Sequence, residues 1–347
     1  MNKSSFVKLG SVSVMAKQMP NKSFQLTVKK LRFLPSAEFV RYPFGGNMTR
    51  SSNRSHDRTG FFKYMSAGTA RIVLTNRTLR WSSPLLFNDP FDVPRELLFG
   101  VTTAEITKAL MCRVAALIES PPEDTSDMSP KVRLIVETVK RGITPELKAK
   151  LLAGLEESAS THKPTGSSLE DLRELWRSWV PDLRILCLAE SPAHVAMWFH
   201  YAEQYKGAVI ELRCIDELDS AWLVAQPVVY PETKPEVYTA EGWAELLTMR
   251  NEIAVRRILQ VSTHTKSPDW SYEKEWRIMT FKRPTDRGHY TDYKIDPREL
   301  GGVYLGPLMS PADRTDLLSL VSDYPNAGVF EVSLGMSREL VFNQIRG

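Results

Sequence analysis

Short β-type runs alternating with helical segments of very unequal length constrain this chain more than any other feature. Phe61–Met65 reads as a short aromatic strand, and Thr69–Asn76 has helical spacing. Leu79–Ser82 reads as a second strand, ending in the turn-rich run Phe87-Asn88-Asp89-Pro90-Phe91-Asp92. Further strands are predicted over Leu183–Leu188, Ala208–Leu212, Trp276–Phe281, Gly302–Leu305 and Val329–Val332. Helices are predicted over Pro192–Tyr205 (stopped by Gly207), near Ala240–Leu259, and over Pro311–Val321. Between the second and third strands the pattern is helical. Thr102 and Glu105 form a capping box before Ile106, Leu110, Val114 and Leu117. Ser129-Pro130 and Thr144-Pro145 each place Pro just inside a helix start, and Ser168 opens a helix through Leu172, Leu175 and Trp179. This order predicts an α+β fold: a mixed β-sheet core with an inserted helical lobe at about 100–180.

The charge distribution divides the chain differently. Residues 1–59 carry eleven Lys or Arg against Glu38 and Asp57, a balance of +9, which leaves −5 for residues 60–347. The short apolar runs Phe24–Val28 and Leu31–Leu34 lie in this basic arm, and Gly45–Gly60 reads as a linker. The expected division is a partly flexible basic arm, 1–59, and a main α+β domain, 60–347. An acidic body disfavours a broad nucleic-acid-binding face on the main domain, and the arm's charges are too dispersed for a tight basic cluster. No run approaches the roughly 18 apolar residues of a membrane span, and Lys8 and Lys17 interrupt the only mildly apolar N-terminal stretch. Cys112, Cys187 and Cys214 are far apart and odd in number, which reads as reduced, partly buried thiols in a cytoplasmic protein. No Cys/His spacing matches a zinc site, and the common nucleophile, phosphate-loop and dinucleotide motifs are missing.

Three segments could carry chemistry. In the first, Lys63-Tyr64 leads to the run at 87–92, whose Asn and Asp are ordinary turn formers pinned by flanking Phe residues. In the second, Trp198, Tyr201 and Tyr205 fall at i, i+3 and i+7 on one helix face. Such a stripe is usually core, and its alternative use is as a platform for a flat ring. His200 lies off that face. In the third, Trp270-Ser271-Tyr272-Glu273-Lys274-Glu275-Trp276-Arg277-Ile278, a period of two sets Trp276 and Ile278 against Glu273, Glu275 and Arg277. The charged face would be solvated, with Glu275 paired to Arg277, or its carboxylates would serve as an acid/base pair or grip a ribose diol.

Together, Lys63-Tyr64, the run at 87–92, Met197-Trp198 with Tyr201-Ala202 and Gly207, and Tyr272-Glu273-Lys274-Glu275-Trp276-Arg277 resemble a bacterial family catalogued as domain of unknown function 2971. The resemblance spans roughly residues 61–305. More distantly, the order of opening strand, aromatic helix and Glu-x-Glu strand is similar to the ADP-ribosyltransferase superfamily. That similarity implies NAD as co-substrate, with Lys63 or Tyr64 on the opening strand, where those enzymes carry Arg or His. It implies Tyr201 as nicotinamide platform with Trp198 beside it, and Glu273 and Glu275 as the glutamate pair, Glu275 catalytic. Asn88, Asp89 and Arg277 complete the expected nucleotide contacts. The implied function is an NAD-consuming transferase, a toxin or defence effector acting on a nucleic acid or protein. The basic arm is the segment suited to touch nucleic acid, and no membrane role is expected. Two other readings stand beside it: a Mg²⁺-dependent nuclease using Asp89, Asp92, Glu273, Glu275 and Lys274, and a non-catalytic nucleotide-sensing or interaction module.

Overall fold

The computed structural model describes residues 50–97, 100–161, 167–324 and 326–346. The arm up to residue 49, including Phe24–Val28 and Leu31–Leu34, lies outside the described residues. The chain divides into a helical unit, with Val93–Trp179 and Pro231–Thr265, and a sheet unit holding residues from 50 to Asp92, Val180–Tyr230 and those from Lys266 on.

The sheet unit has the α+β character read from the sequence. Its strands are β1 (Gly60–Met65), β2 (Thr78–Ser82), β3 (Leu183–Ala189), β4 (Ala208–Arg213), β5 (Gln226–Pro227), β6 (Glu275–Phe281), β7 (Tyr290–Lys294), β8 (Leu300–Leu305), β9 (Gly328–Leu334) and β10 (Leu340–Arg346). They form one mixed sheet in the order β10-β9-β8-β4-β1-β3-β2-β7, with β6 pairing β3 and β5. Among the described strands only β8 and β9 run parallel.

The consequential feature is a fork. β3 pairs β6 along its whole length, from Leu183 opposite Phe281 to Ala189 opposite Glu275. On its other edge it meets β1 only at Phe62↔Ala189 and β2 only at Ser82↔Ile185. β1 and β2 therefore part company along β3. In the gap the Cys187 carbonyl accepts a hydrogen bond from Lys63 Nζ at 2.7 Å instead of a strand partner.

The helices follow their caps. α1 (Ala67–Asn76) starts at Ser66, whose side chain accepts from Thr69 N, and buries Ala67, Ala70, Val73 and Leu74 against the sheet core. In the helical unit the Thr102–Glu105 capping box opens α2 (Thr103–Glu119), followed by α3 (Pro130–Lys140), α4 (Pro145–Thr161) and α5 (Ser167–Trp179). Met111, Val114, Ile118 and Leu155 form one of its cores.

Several expectations are corrected. The helix at 192–205 is shorter: α6 spans Val195–Tyr201, after which Glu203, Gln204 and Tyr205 all take left-handed backbone, φ 50° to 69°. Three residues in that region cannot continue a right-handed helix, so Tyr205 leaves the face of Trp198 and Tyr201. Gly207 does not supply the positive φ of a helix cap. It is needed because a Cβ there would lie 2.2 Å from the Met65 carbonyl oxygen. The helix near 240–259 is two, α7 (Ala240–Thr248) and α8 (Asn251–His264). Met249 turns extended to bridge Met128, and Arg250 N donates to Asp127 O. β7 and β10, missed in the sequence, are polar or half-exposed edge strands without a clean apolar alternation. α9 (Pro311–Val321) matches its predicted span.

Residues 50–59, read as linker, are docked on the sheet unit. Arg54 forks onto Asp216 at 2.9 and 2.7 Å and holds its carboxyl down to about 2. Ser55 N donates to Leu223 O. Arg50 and Arg58 pair with Asp57 and Glu190. Cys187 and Cys214 are half-buried free thiols, whereas Cys112 is exposed.

Replacing Gly207 by Ala forces a methyl against backbone atoms of β1 and of Ala202. A loss of about 1–3 kcal/mol in urea denaturation is expected. An unchanged midpoint would contradict this close approach.

Candidate functional site

A strand of alternating side chains, β6, builds the site. Along β6, Ile278 enters the main core with Trp276 packed against it, while Glu275 and Arg277 project to the other face. That face is buried, not solvated as the alternation alone implied. Arg277 has no exposed side-chain surface. Its Nε and Nη2 donate to Glu275 Oε1 and Oε2 at 2.7 and 2.8 Å, and Nη2 also donates to Asp92 Oδ2 at 2.7 Å.

Glu273 is not on the strand. It ends a 3₁₀ turn, Pro268–Glu273, and Lys274 at φ 43° redirects the chain into β6. The left-handed residue breaks the period of two, yet it returns Glu273 to the same cluster. Glu273 Oε1 accepts from the Tyr201 hydroxyl at 2.6 Å, and Oε2 accepts from Lys266 Nζ at 2.6 Å. Lys266 also lies 3.5 Å from Glu275 and 3.6 Å from Asp92, with its ammonium 4.7 Å from the Trp270 ring centre. Three buried carboxylates thus share two buried cations. Tyr230 Oη accepts from Glu275 N at 3.0 Å and fixes the start of the strand.

These groups form the anionic wall of a cavity of about 220 Å³ at the fork in the sheet. Phe62, Lys63 and Tyr64 of β1 all line it. Neighbours of both parities reach it, so it opens through the gap between β1 and β2 and not onto one face of the sheet. Arg80 and Ser82 of β2, Cys187 of β3, Met197 and Tyr201 of α6, and Phe87, Asn88, Asp89 and Asp92 complete most of the lining.

The two glutamates are driven apart. Burial would raise Glu275, but the charge and paired hydrogen bonds of Arg277, helped by Lys266, hold its carboxyl well below the usual range. Burial raises Glu273, and its bonds from Lys266 and Tyr201 offset this only in part. Burial lowers Lys266, but the surrounding carboxylates, Glu275 first, reverse this and raise it. Burial and the Glu273 anion raise the Tyr201 hydroxyl, so it remains a donor. The Cys187 thiol is also pushed up, chiefly by burial, which disfavours the thiolate.

Most sequence-read residues meet here: Glu275, Glu273, Tyr201, Lys63, Tyr64, Asn88 and Asp89 all line the cavity. Trp198 does not. It is fully buried beside Tyr64, with its indole N–H on Pro192 O, because the helix face turned to the cavity carries Met197 and Tyr201 at i, i+4. Arg277 lies behind Glu275 and is not itself among the lining residues. Tyr64 keeps its hydroxyl on Ser191 O, and His194 N donates to it. Phe91 pins nothing, being 89% exposed, while Phe87 sits 5.6 Å from the Arg277 guanidinium. Asp89 caps Phe91 N as a turn former. Lys274 points away, 3.4 Å from Glu190. Among the described residues no group of three or more His, Cys, Asp or Glu side chains is arranged to hold a metal ion.

Sequence reasoning missed Lys266. Its sign was a lysine directly after the helical run ending at His264, just before Ser267-Pro268, which no motif marks.

A family model described as protein of unknown function (DUF2971) matches residues 197–278, a stretch that contains Tyr201, Lys266, Glu273, Glu275 and Arg277. No curated protein and no solved structure matches the chain. Among the described residues no helix is long and apolar enough to cross a membrane.

Glu275→Gln removes the charge that forks the buried Arg277 guanidinium, and a loss of about 3–5 kcal/mol at pH 7 is expected. In Glu273→Gln the amide Oε1 accepts from Lys266 while Nε2 donates to the Tyr201 oxygen, which reverses that bond, and Lys266 keeps two acids, so about 1 kcal/mol or less is expected. A carboxyl with a lowered folded pKa stabilises above its unfolded value of about 4.3, and that contribution is lost as pH falls. The Glu275→Gln deficit therefore shrinks on acidification below about 4.3. Glu273 has the opposite sign, its ionised form costing stability above its raised folded value. Urea titrations from pH 3 to 8 check both; equal deficits for the two variants would contradict the assignment.

Proposed function

We propose that the cleft cleaves a glycosidic C–N bond and passes the glycosyl group to an acceptor, with NAD as donor. The observation carrying this reading is the glutamate pair: two neighbouring buried carboxyls line one cavity, Glu275 forked by Arg277, which holds it low, and Glu273 held by Tyr201 and Lys266, with burial raising it. Environments that separate two carboxyls in this way mark the division of labour in acid/base chemistry.

The roles follow from charge. As the bond between ribose C1′ and the pyridinium nitrogen breaks, its electron pair goes to the nitrogen and the ring leaves neutral. Positive charge develops at C1′ and its ring oxygen. A fixed carboxylate facing that charge lowers the barrier because it is already oriented, and Glu275 is clamped by Arg277. The acceptor's oxygen or nitrogen then bonds C1′ and gives up its proton. Glu273 is the group to take it, its raised carboxyl bringing it closer to a useful base. Tyr201 and Lys266 hold Glu273 in position.

The cavity is smaller than the roughly 300–1,000 Å³ of a pocket for a whole drug-sized ligand. Its 220 Å³ suits the nicotinamide riboside end, with Phe87 and Tyr201 as aromatic wall and Lys63 toward the phosphates. The resemblance to ADP-ribosyltransferases supports NAD over other glycosyl donors. The acceptor in this reading is a macromolecule, nucleic acid or protein, as for a toxin or defence effector.

The wild-type protein is expected to release nicotinamide from NAD. Glu275→Gln should lower kcat about 100- to 1,000-fold. The rate should fall on acidification with an apparent pKa above the 4.3 of a free glutamate, and Glu273→Gln should remove that limb. Absence of nicotinamide release across acceptors and pH would overturn the proposal.

A further inference from the structure

The gap beside Cys187 has a cation on each bank. β1 meets β3 at Phe62↔Ala189 and β2 meets it at Ser82↔Ile185, both antiparallel. Continuing each register by two residues would set Tyr64 and Arg80 opposite the same residue, Cys187. One edge position cannot take two strands, so they splay there. Lys63 is left on one bank and Arg80 on the other, and both line the cavity. Lys63 is half-buried, and its Nζ gives one of three donors to the Cys187 carbonyl. It makes no ion pair among the described residues. Arg80 is already oriented. Its Nε and Nη2 donate to Asp292 at 2.9 and 3.0 Å, and the guanidinium lies 3.7 Å from the Tyr290 ring centre. Fork and stack fix its plane and leave Nη1 as a donor without a partner among the described residues.

We infer that Lys63 and Arg80 together hold the 5′-phosphate of the ligand's ribose, so that the cleft takes nucleotides and not the bare nucleoside. The inference deepens the NAD reading and rests on it for the ligand's identity. Charge places the phosphate. The far wall sets three carboxylates against two cations, which repels an anion and suits the positive charge that develops at C1′. Lys63 is the lining cation without a counter-ion, so the anion belongs at the gap. Topology agrees. Glu275 pairs with one edge of β3 and Lys63 caps the other, with strands spaced about 4.8 Å apart, an interval that a ribose with its phosphate spans. C1′ then faces the acid while the 5′ arm reaches the cations. Arg80 supplies direction and Lys63 supplies charge, the usual division between a guanidinium and an ammonium at a phosphate. The rest of a dinucleotide lies outside, as a cavity of about 220 Å³ requires. Arg80 is thus a specificity-determining residue on a strand that carries none of the acids.

Calorimetric or thermal-shift binding to the full chain at low salt tests this with four ligands: NAD, nicotinamide mononucleotide, nicotinamide riboside and inorganic pyrophosphate. The wild type is expected to bind the mononucleotide nearly as well as NAD, and the riboside at least about tenfold more weakly. This comparison requires no variant. Arg80→Gln changes a side chain that is 52% exposed, and Lys63→Gln retains an N–H for the Cys187 carbonyl. Each should weaken both nucleotides about tenfold and leave the riboside unchanged. If the riboside binds as tightly as the mononucleotide, or if either variant leaves their ratio unchanged, the inference is overturned and the NAD reading stands. If pyrophosphate alone binds, the NAD reading falls, and the anion site stands if Arg80→Gln abolishes that binding and falls if it does not. If the wild type binds none of the four, both readings fall.

Discussion

A guanidinium with no access to water sets the terms for this site. Arg277 projects from a sheet strand into a closed region, where an unpaired charge would be prohibitive. Two carboxylates, Glu275 and Asp92, are drawn in to meet it. They bring an excess of negative charge that Lys266 balances, and Glu273 joins Lys266 to leave the cluster one negative charge in excess. Burial of this kind is weak evidence for stability, since an apolar replacement of similar volume is often at least as stable. Retaining five ionisable groups in one buried cluster fits a need for fixed charge better than a need for stability.

The sheet supplies the space. Because β1 and β2 each touch β3 at a single pair, the ladder opens where Lys63 caps the Cys187 carbonyl, and the charged wall faces into that opening. Aromatic side chains of β1, α6 and the 87–92 loop line the other sides. β6 holds Glu275, the 3₁₀ turn before it holds Glu273, and a short helix holds Tyr201. That is the preorganisation electrostatic catalysis requires.

The α+β class and most elements were legible in the sequence, because a capping box such as Thr102 with Glu105 and the alternation of β6 are local signals. What was not legible was long-range. Tyr201 was found through an aromatic stripe whose geometry was wrong: the helix stops at Tyr201, and three left-handed residues carry Tyr205 elsewhere. Trp198 shared the stripe and turned out to be core, since a helix step of about 100° separates a wall from a cavity. The alternation of β6 correctly paired Glu275 with Arg277 but could not say that their face is buried. Lys266 left no local trace, because its role exists only once Asp92, Glu273 and Glu275 converge from separate parts of the chain. β7 and β10 were missed because edge strands need no apolar face.

The central claim is that one environment drives two neighbouring glutamates in opposite directions. Carbon-13 NMR titration of the Glu273 and Glu275 side-chain carboxyls, assigned by single Gln substitutions, measures this directly. The account predicts Glu275 titrating well below the free-glutamate value and Glu273 above it. Two carboxyls titrating together near that ordinary value would contradict the account.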